Sequence, residues 1–238
     1  MTPPSKPAPL EAQEPADVPA PRSVEQPWMS LAEWRRRHEA QLAAPHRARA
    51  EILFLGDSIT EAWCESEPFK RAFSRYTPLN LGIGGDQTQH VLWRIDDGTL
   101  DGTSARLVVL LIGVNNLGNG FSPDQTVAGI QAVLAKLRKR LPGVPVLLLS
   151  VLPAGESPDD PLRRSVSDTN QRLSTWTPPP DVSLHDVGAV LVERDGSIAP
   201  TIMADFLHPT PLGQERLTAA VKPLVEQVLT APGHATVE

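Results

Sequence analysis

Two patterns alternate along the chain. Short continuous apolar runs recur at Ile52–Leu55 (ILFL), at 105–113 (ARLVVLLIG), at 144–152 (VPVLLLSVL) and, more weakly, at 182–187 (VSLHDV). Between them lie stretches with helical spacing. In one of these, Val127, Ile130, Leu134, Leu137 and Leu141 line one face between Pro123 and Leu141. Ser122-Pro123-Asp124-Gln125 opens that helix with a cap, an N1 proline and an N3 glutamine, and its last turn, Lys136 to Arg140, is basic as the helix dipole prefers. An earlier helix is predicted from Ser30 to Ala44, capped by Ser30 with Glu33 three residues on, and ended by Pro45. Wholly apolar strands alternating with helices predict an α/β protein with a parallel sheet covered on both faces. No internal repeat is evident. In such sheets ligands bind beyond the carboxyl ends of the strands, so the residues just after each apolar run are the ones to inspect.

Composition narrows this picture. A chain of 238 residues suggests one sizeable domain with its own core. Residues 1–27 hold eight of the 25 prolines and few large apolar residues, which reads as a disordered or extended tail unable to offset chain entropy by burial; 28–232 is read as the domain and 233–238 as a flexible C-terminus. A net charge of −6 argues against a general nucleic-acid binder. With Cys64 alone there is no internal disulfide and no zinc site built from several thiolates. The N-terminus lacks an apolar signal core, and no stretch approaches the roughly 18 apolar residues that span a bilayer, so a cytoplasmic location without an integral membrane segment is expected.

At the strand ends stand a serine, glycines, asparagines and an Asp/His pair. Gly56-Asp57-Ser58 follows the first run, and Ser58 is either the cap of the next helix or a nucleophile on a tight turn. Gly82, Gly84 and Gly85 follow the next extended piece; position 87 is Gln87, so the segment is not a dinucleotide loop. Gly113-Val114-Asn115-Asn116 follows the third run, and ADFLHP supplies Asp205 and His208 near the end. Singly, these residues fit turns, caps and solvated loops equally well. Together they fit acyl transfer, which needs a nucleophile, a base within reach, an acid to orient the base, and donors for a developing oxyanion. Ser58 and Gly85 can offer backbone N–H groups, Asn115 a side-chain amide, and His208 a base oriented by Asp205. Metal chemistry has less to build on, because His38-Glu39 begins an HExxH pattern that fails at Leu42, and His90 and His185 lack ligand-spaced partners. Trp93 reads as a packing residue.

These four blocks resemble those of the SGNH (GDSL-type) hydrolase family. The resemblance runs from about Trp28 to Leu229 and tightens to the branch of the intracellular platelet-activating-factor acetylhydrolase catalytic subunits and their bacterial relatives. LNLGIGGDQTQHVLWRIDDG, GVNN, VLPAGESPDDPLRR and DFLH are its long local matches. It implies a three-layer α/β/α sandwich of flavodoxin-like kind around a parallel sheet of about five strands, working without metal or organic cofactor. It further implies Ser58 as nucleophile, Asp205 and His208 as its partners, and an oxyanion hole from Ser58, Gly85 and Asn115. Ile59, Val114 and Leu207 would wall a small acyl pocket. Where many members carry GxND, this chain has Asn116 in the Asp position, as the acetylhydrolase branch does. The expected function is hydrolysis of short-chain, acetyl-type carboxylic esters through an acyl-enzyme, on a small-molecule ester, with a homodimer expected by analogy. A lysophospholipase or thioesterase, a carbohydrate O-acetylesterase and a non-catalytic binding module are the alternatives, whereas an α/β-hydrolase is disfavoured because no GxSxG surrounds any serine.

Overall fold

The computed structural model describes residues 14–231. Its centre is a five-stranded parallel sheet built from β1 (Ile52–Gly56), β2 (Pro78–Gly82), β3 (Leu107–Leu111), β4 (Val146–Leu149) and β5 (Val182–His185). The strand order is β2-β1-β3-β4-β5. β1 and β3 are buried at every position and β4 likewise, as expected of strands covered on both faces. The helices are α1 (Leu31–Leu42), α2 (Ser58–Glu65), α3 (Glu67–Ala72), α4 (Thr88–Asp96), α5 (Val114–Gly118), α6 (Pro123–Arg140), α7 (Pro161–Thr175) and α8 (Pro211–Thr230). α4, α5, α6 and α7 pack together in one helical layer, and α2, α3 and α8 in the other.

The predicted caps are present. Ser30 Oγ accepts from Glu33 N–H at the start of α1, and Ser122 and Gln125 close a reciprocal capping box on α6. In α2 the cap is Asp57, whose carboxylate accepts from Ile59 N–H at 3.0 Å; Ser58 is the first helical residue and its hydroxyl is left to another partner. Register aligns the blocks seen in the sequence. Gly56 pairs with Gly82 on one side and Leu111 on the other, so the turns after β1, β2 and β3 leave the sheet at one level. A side chain at Gly56 would overlap Thr60 Oγ1 and the Leu111 carbonyl, so this close approach requires glycine. The strand order reverses between β1 and β3, which places the topological switch point between Ser58 and Asn115.

The proline-rich tail differs from expectation. From Pro15 onward it lies against the domain: Thr88 Oγ1 donates to the Ala16 carbonyl at 2.7 Å, and Ala20 N–H donates to Gln89 O at 3.1 Å. Ala16, Ala20 and Arg22 are buried. A segment poor in large side chains is held here by backbone hydrogen bonds and one buried cation rather than by apolar area, which composition does not register. The parts of the expected tails at 1–13 and 233–238 lie outside the described residues.

Candidate active site

Beyond the carboxyl ends of β1 and β3, three side chains form a hydrogen-bonded line. Ser58 Oγ lies 2.9 Å from His208 Nε2, and His208 Nδ1 lies 2.7 Å from Asp205 Oδ2. An ionised Asp205 can only accept, so Nδ1 carries the proton and Nε2 is left to accept from the Ser58 hydroxyl. Partial burial pushes the Asp205 carboxyl up; hydrogen bonds from the His208 ring and from the His208 and Leu207 N–H groups outweigh it and hold the group below its ordinary value. Phe206, between these partners, has φ 57°, a left-handed conformation that a bulky residue rarely adopts. This bend lets one carboxylate collect the N–H groups of Leu207 and His208 together with the ring.

Gly85 and Asn115 face the same level from the turns after β2 and β3. Gly85 has φ 73°, and a Cβ there would overlap the Trp28 ring and come within 2.7 Å of Arg22 Nη2. Asn115 Nδ2 donates one hydrogen to the Asp86 carbonyl at 3.0 Å, which fixes the amide plane and leaves its second hydrogen available. Asn116 points inward instead. Its Oδ1 accepts from Thr88 N–H at 3.0 Å while Nδ2 donates to Thr88 Oγ1 and Gln89 Oε1, both at 3.1 Å. An ionised carboxylate could not make the donations, which is a physical reason for asparagine in this position. Ile59 and Val114 are buried in the core and Leu207 packs, half-buried, against it.

Sequence reasoning missed the polar network beneath these turns. Asp86 is fully buried, with Oδ1 taking the Trp34 Nε1 hydrogen bond and Oδ2 that of Arg94 Nε, each at 2.7 Å. Arg94 also donates to the Leu81 carbonyl at 3.0 Å and the Gly56 carbonyl at 3.3 Å, tying together the ends of β1 and β2. The available signal was the matched block around the glycines, which contains both residues. Asp57, next to Ser58, is buried, and burial pushes its carboxyl up to about 7, with the Asp86 charge adding to the rise. His90 is held down to about 4, chiefly by burial, and its Nδ1 accepts from Gln87 N–H at 3.1 Å. Trp93 packs 5.4 Å from Trp34, as a packing residue should. A pocket of about 430 Å³ opens beside Gly85 and Asn115, walled by Arg22, Trp28, Gln87, Gln89 and Asn119 among others.

A doubly wound parallel sheet with a serine, a histidine and a carboxylate in line at its switch point is the scaffold of an ester hydrolase. Residues 54–216 match the model of the GDSL-like lipase/acylhydrolase family, and the chain belongs to that family. It is 33% identical over 197 residues to the platelet-activating factor acetylhydrolase IB subunit alpha2 of Rattus norvegicus, covering 82% of this chain and 85% of the relative. Against subunit alpha1 of Bos taurus it is 33% identical over 204 residues, covering 85% and 84%. Among solved structures, a GDSL-like lipase from Bacteroides thetaiotaomicron superposes with a TM-score of 0.68 at 24% identity, covering 83% of this chain and 99% of that one. The enzyme is thus a carboxylic ester hydrolase on the SGNH fold. Among the described residues, no helix is long and apolar enough to cross a membrane.

Proposed function

We propose that the protein is a serine esterase that removes short acyl groups, acetyl foremost, through an acyl-enzyme. The observation that carries this reading is the continuous relay from Ser58 through His208 to Asp205, with Gly85 and Asn115 at the same level. Ser58 Oγ attacks the ester carbonyl while its proton passes to His208 Nε2. Asp205 orients the ring and stabilises the imidazolium. The carbonyl oxygen, now negative, is received by the N–H groups of Ser58 and Gly85 and the Asn115 amide. Collapse expels the alcohol, which takes the proton from His208; water then repeats the sequence on the acyl-enzyme and frees the acid. Ile59, Val114 and Leu207, which the family resemblance sets around the acyl group, are bulky apolar residues in or against the core, and as walls they would favour an acetyl group over a long chain. Homodimer formation and a cytoplasmic location belong to the same reading, by kinship with the acetylhydrolase subunits.

A second reading of the alcohol half has its own support. The pocket beside Gly85 and Asn115 carries several side-chain amides and an indole, Trp28, that is 59% exposed. An aromatic face with neutral amides suits a hydroxyl-rich group such as a sugar, which would make the enzyme a carbohydrate O-acetylesterase. The test is hydrolysis of p-nitrophenyl esters from acetyl to palmitoyl, and of acetylated sugars, by wild type and Ser58→Ala. An acetyl optimum abolished by the substitution is expected. A long-chain optimum would replace the acetyl reading with a lysophospholipase or thioesterase, and full activity in Ser58→Ala would refute the nucleophile.

A further inference from the structure

The Gly85 N–H belongs to a peptide between two glycines, the linkage least able to hold its own orientation. Glycine on both sides leaves the 84–85 plane free to rotate unless something outside the turn pins it. One charged side chain does so directly: Arg22 Nη2 donates to the Gly84 carbonyl at 2.7 Å, while Glu61 Oε2 accepts from Gly84 N–H at 2.8 Å and holds the preceding 83–84 peptide. Carbonyl and N–H point in opposite directions across a planar trans peptide, so holding Gly84 O toward Arg22 aims Gly85 N–H the other way. A hydrogen bond from a cation to that carbonyl also polarises the peptide and strengthens its N–H as a donor.

Arg22 is placed for this task. Its side chain is buried in the segment before α1, with its guanidinium carbon 5.5 Å from the Trp28 ring centroid and 5.9 Å from that of Trp34. Asp86 is its counter-charge at 3.8 Å, beyond hydrogen-bond length, and the Asp86 oxygens are already occupied by Trp34 and Arg94. Asp86 offsets the buried charge without a hydrogen bond of its own, and the short bond to Gly84 fixes where the guanidinium points. Trp28 seals the arrangement by lying against the Gly85 α-carbon.

We propose that Arg22, carried by the proline-rich N-terminal segment, is a positioning residue that fixes the Gly84–Gly85 peptide so that Gly85 N–H faces the reacting carbonyl oxygen. The catalytic half of this proposal rests on the esterase reading above; the structural half does not. The experiment uses the full chain, isotopically labelled, as wild type, Arg22→Met and Arg22→Lys. Methionine keeps the apolar stem beside Trp28 but removes the donors, and Asp86 keeps two partners, so the fold is expected to survive. Two quantities are read: the NMR position and solvent exchange of the Gly85 amide, and kcat and KM on p-nitrophenyl acetate.

In Arg22→Met the Gly85 amide should shift and exchange faster, and lysine should return it toward wild type. Outright loss of an oxyanion donor costs on the order of 10²–10³ in kcat, so a misaimed one should cost about tenfold, with KM within roughly twofold. An unmoved Gly85 amide in Arg22→Met, or a kcat equal to wild type, overturns the proposal. Should Arg22→Met fail to fold, Arg22→Leu, which likewise carries no donor, is read by the same two criteria. If the wild type cleaves no ester, the esterase reading falls while the Gly85 amide still decides whether Arg22 holds that peptide.

Discussion

Asp57→Asn isolates a buried carboxyl whose charge the surrounding core opposes. Asp57 caps α2 through Ile59 N–H, and an asparagine oxygen can accept the same bond, so the cap survives the substitution. What changes is titration. Burial pushes the folded-state group up to about 7, from an ordinary value of 3.8. Between those values the folded protein binds a proton that the unfolded chain has released, so stability falls as pH rises through this window. Below it both states are protonated, and above it the loss is complete. A difference of one in pKa between folded and unfolded states corresponds to about 1.4 kcal/mol, which puts the full loss at roughly 4 kcal/mol, of which about 3 falls between pH 5 and pH 8. Urea unfolding of wild type and Asp57→Asn at several pH values measures it. His90, depressed to about 4, acts in the opposite direction, removing stability as pH falls below its ordinary range, but it titrates in both proteins and cancels in the difference. The variant should gain on wild type by about 3 kcal/mol from pH 5 to pH 8. Parallel stability profiles would refute the claim that Asp57 is forced to carry a proton.

Asn115→Ala should lower kcat on the order of 10²–10³ with little change in KM, read by steady-state kinetics; near-native turnover would remove it from the oxyanion site. Gly85→Ala puts a side chain at φ 73° against Trp28 and Arg22. A left-handed residue costs about 1–2 kcal/mol and overpacking about 1–3 more, so denaturant unfolding should report a loss of roughly 2–5 kcal/mol. An unchanged midpoint would mean that Trp28 does not press on this turn. Asn116→Asp trades two donated hydrogen bonds for a buried charge facing Gln89 Oε1 and should destabilise by about 1–3 kcal/mol, easing as the pH is lowered and the carboxyl takes a proton. A variant as stable as wild type at neutral pH would contradict that bond assignment.

The sheet and the chemistry-bearing turns were legible because each is written locally. Three of the five strands, β1, β3 and β4, are uninterrupted apolar runs, and the blocks that matter stand immediately after β1, β2 and β3, where the register of Gly56 with Gly82 and Leu111 brings them to one level. The caps of α1 and α6 were equally plain, since a cap is a relation between residues three apart. What stayed hidden depends on partners far along the chain. Ser58 stood as the capping candidate until the structure gave the cap to Asp57 and left the Ser58 hydroxyl to His208, 150 positions away. Asp86 finds Trp34 and Arg22, 52 and 64 positions earlier, and no periodicity marks such contacts. The N-terminal segment escapes a reading from composition for a related reason. Its composition announces too little apolar area to fold alone, and it is held by the domain: the Ala16 carbonyl accepts from the Thr88 hydroxyl and Ala20 N–H donates to the Gln89 carbonyl on α4, while Arg22 is drawn inward by a carbonyl and an anion. On the reading proposed above, this stretch supplies the domain with a charge that steadies the glycine–glycine peptide of the site.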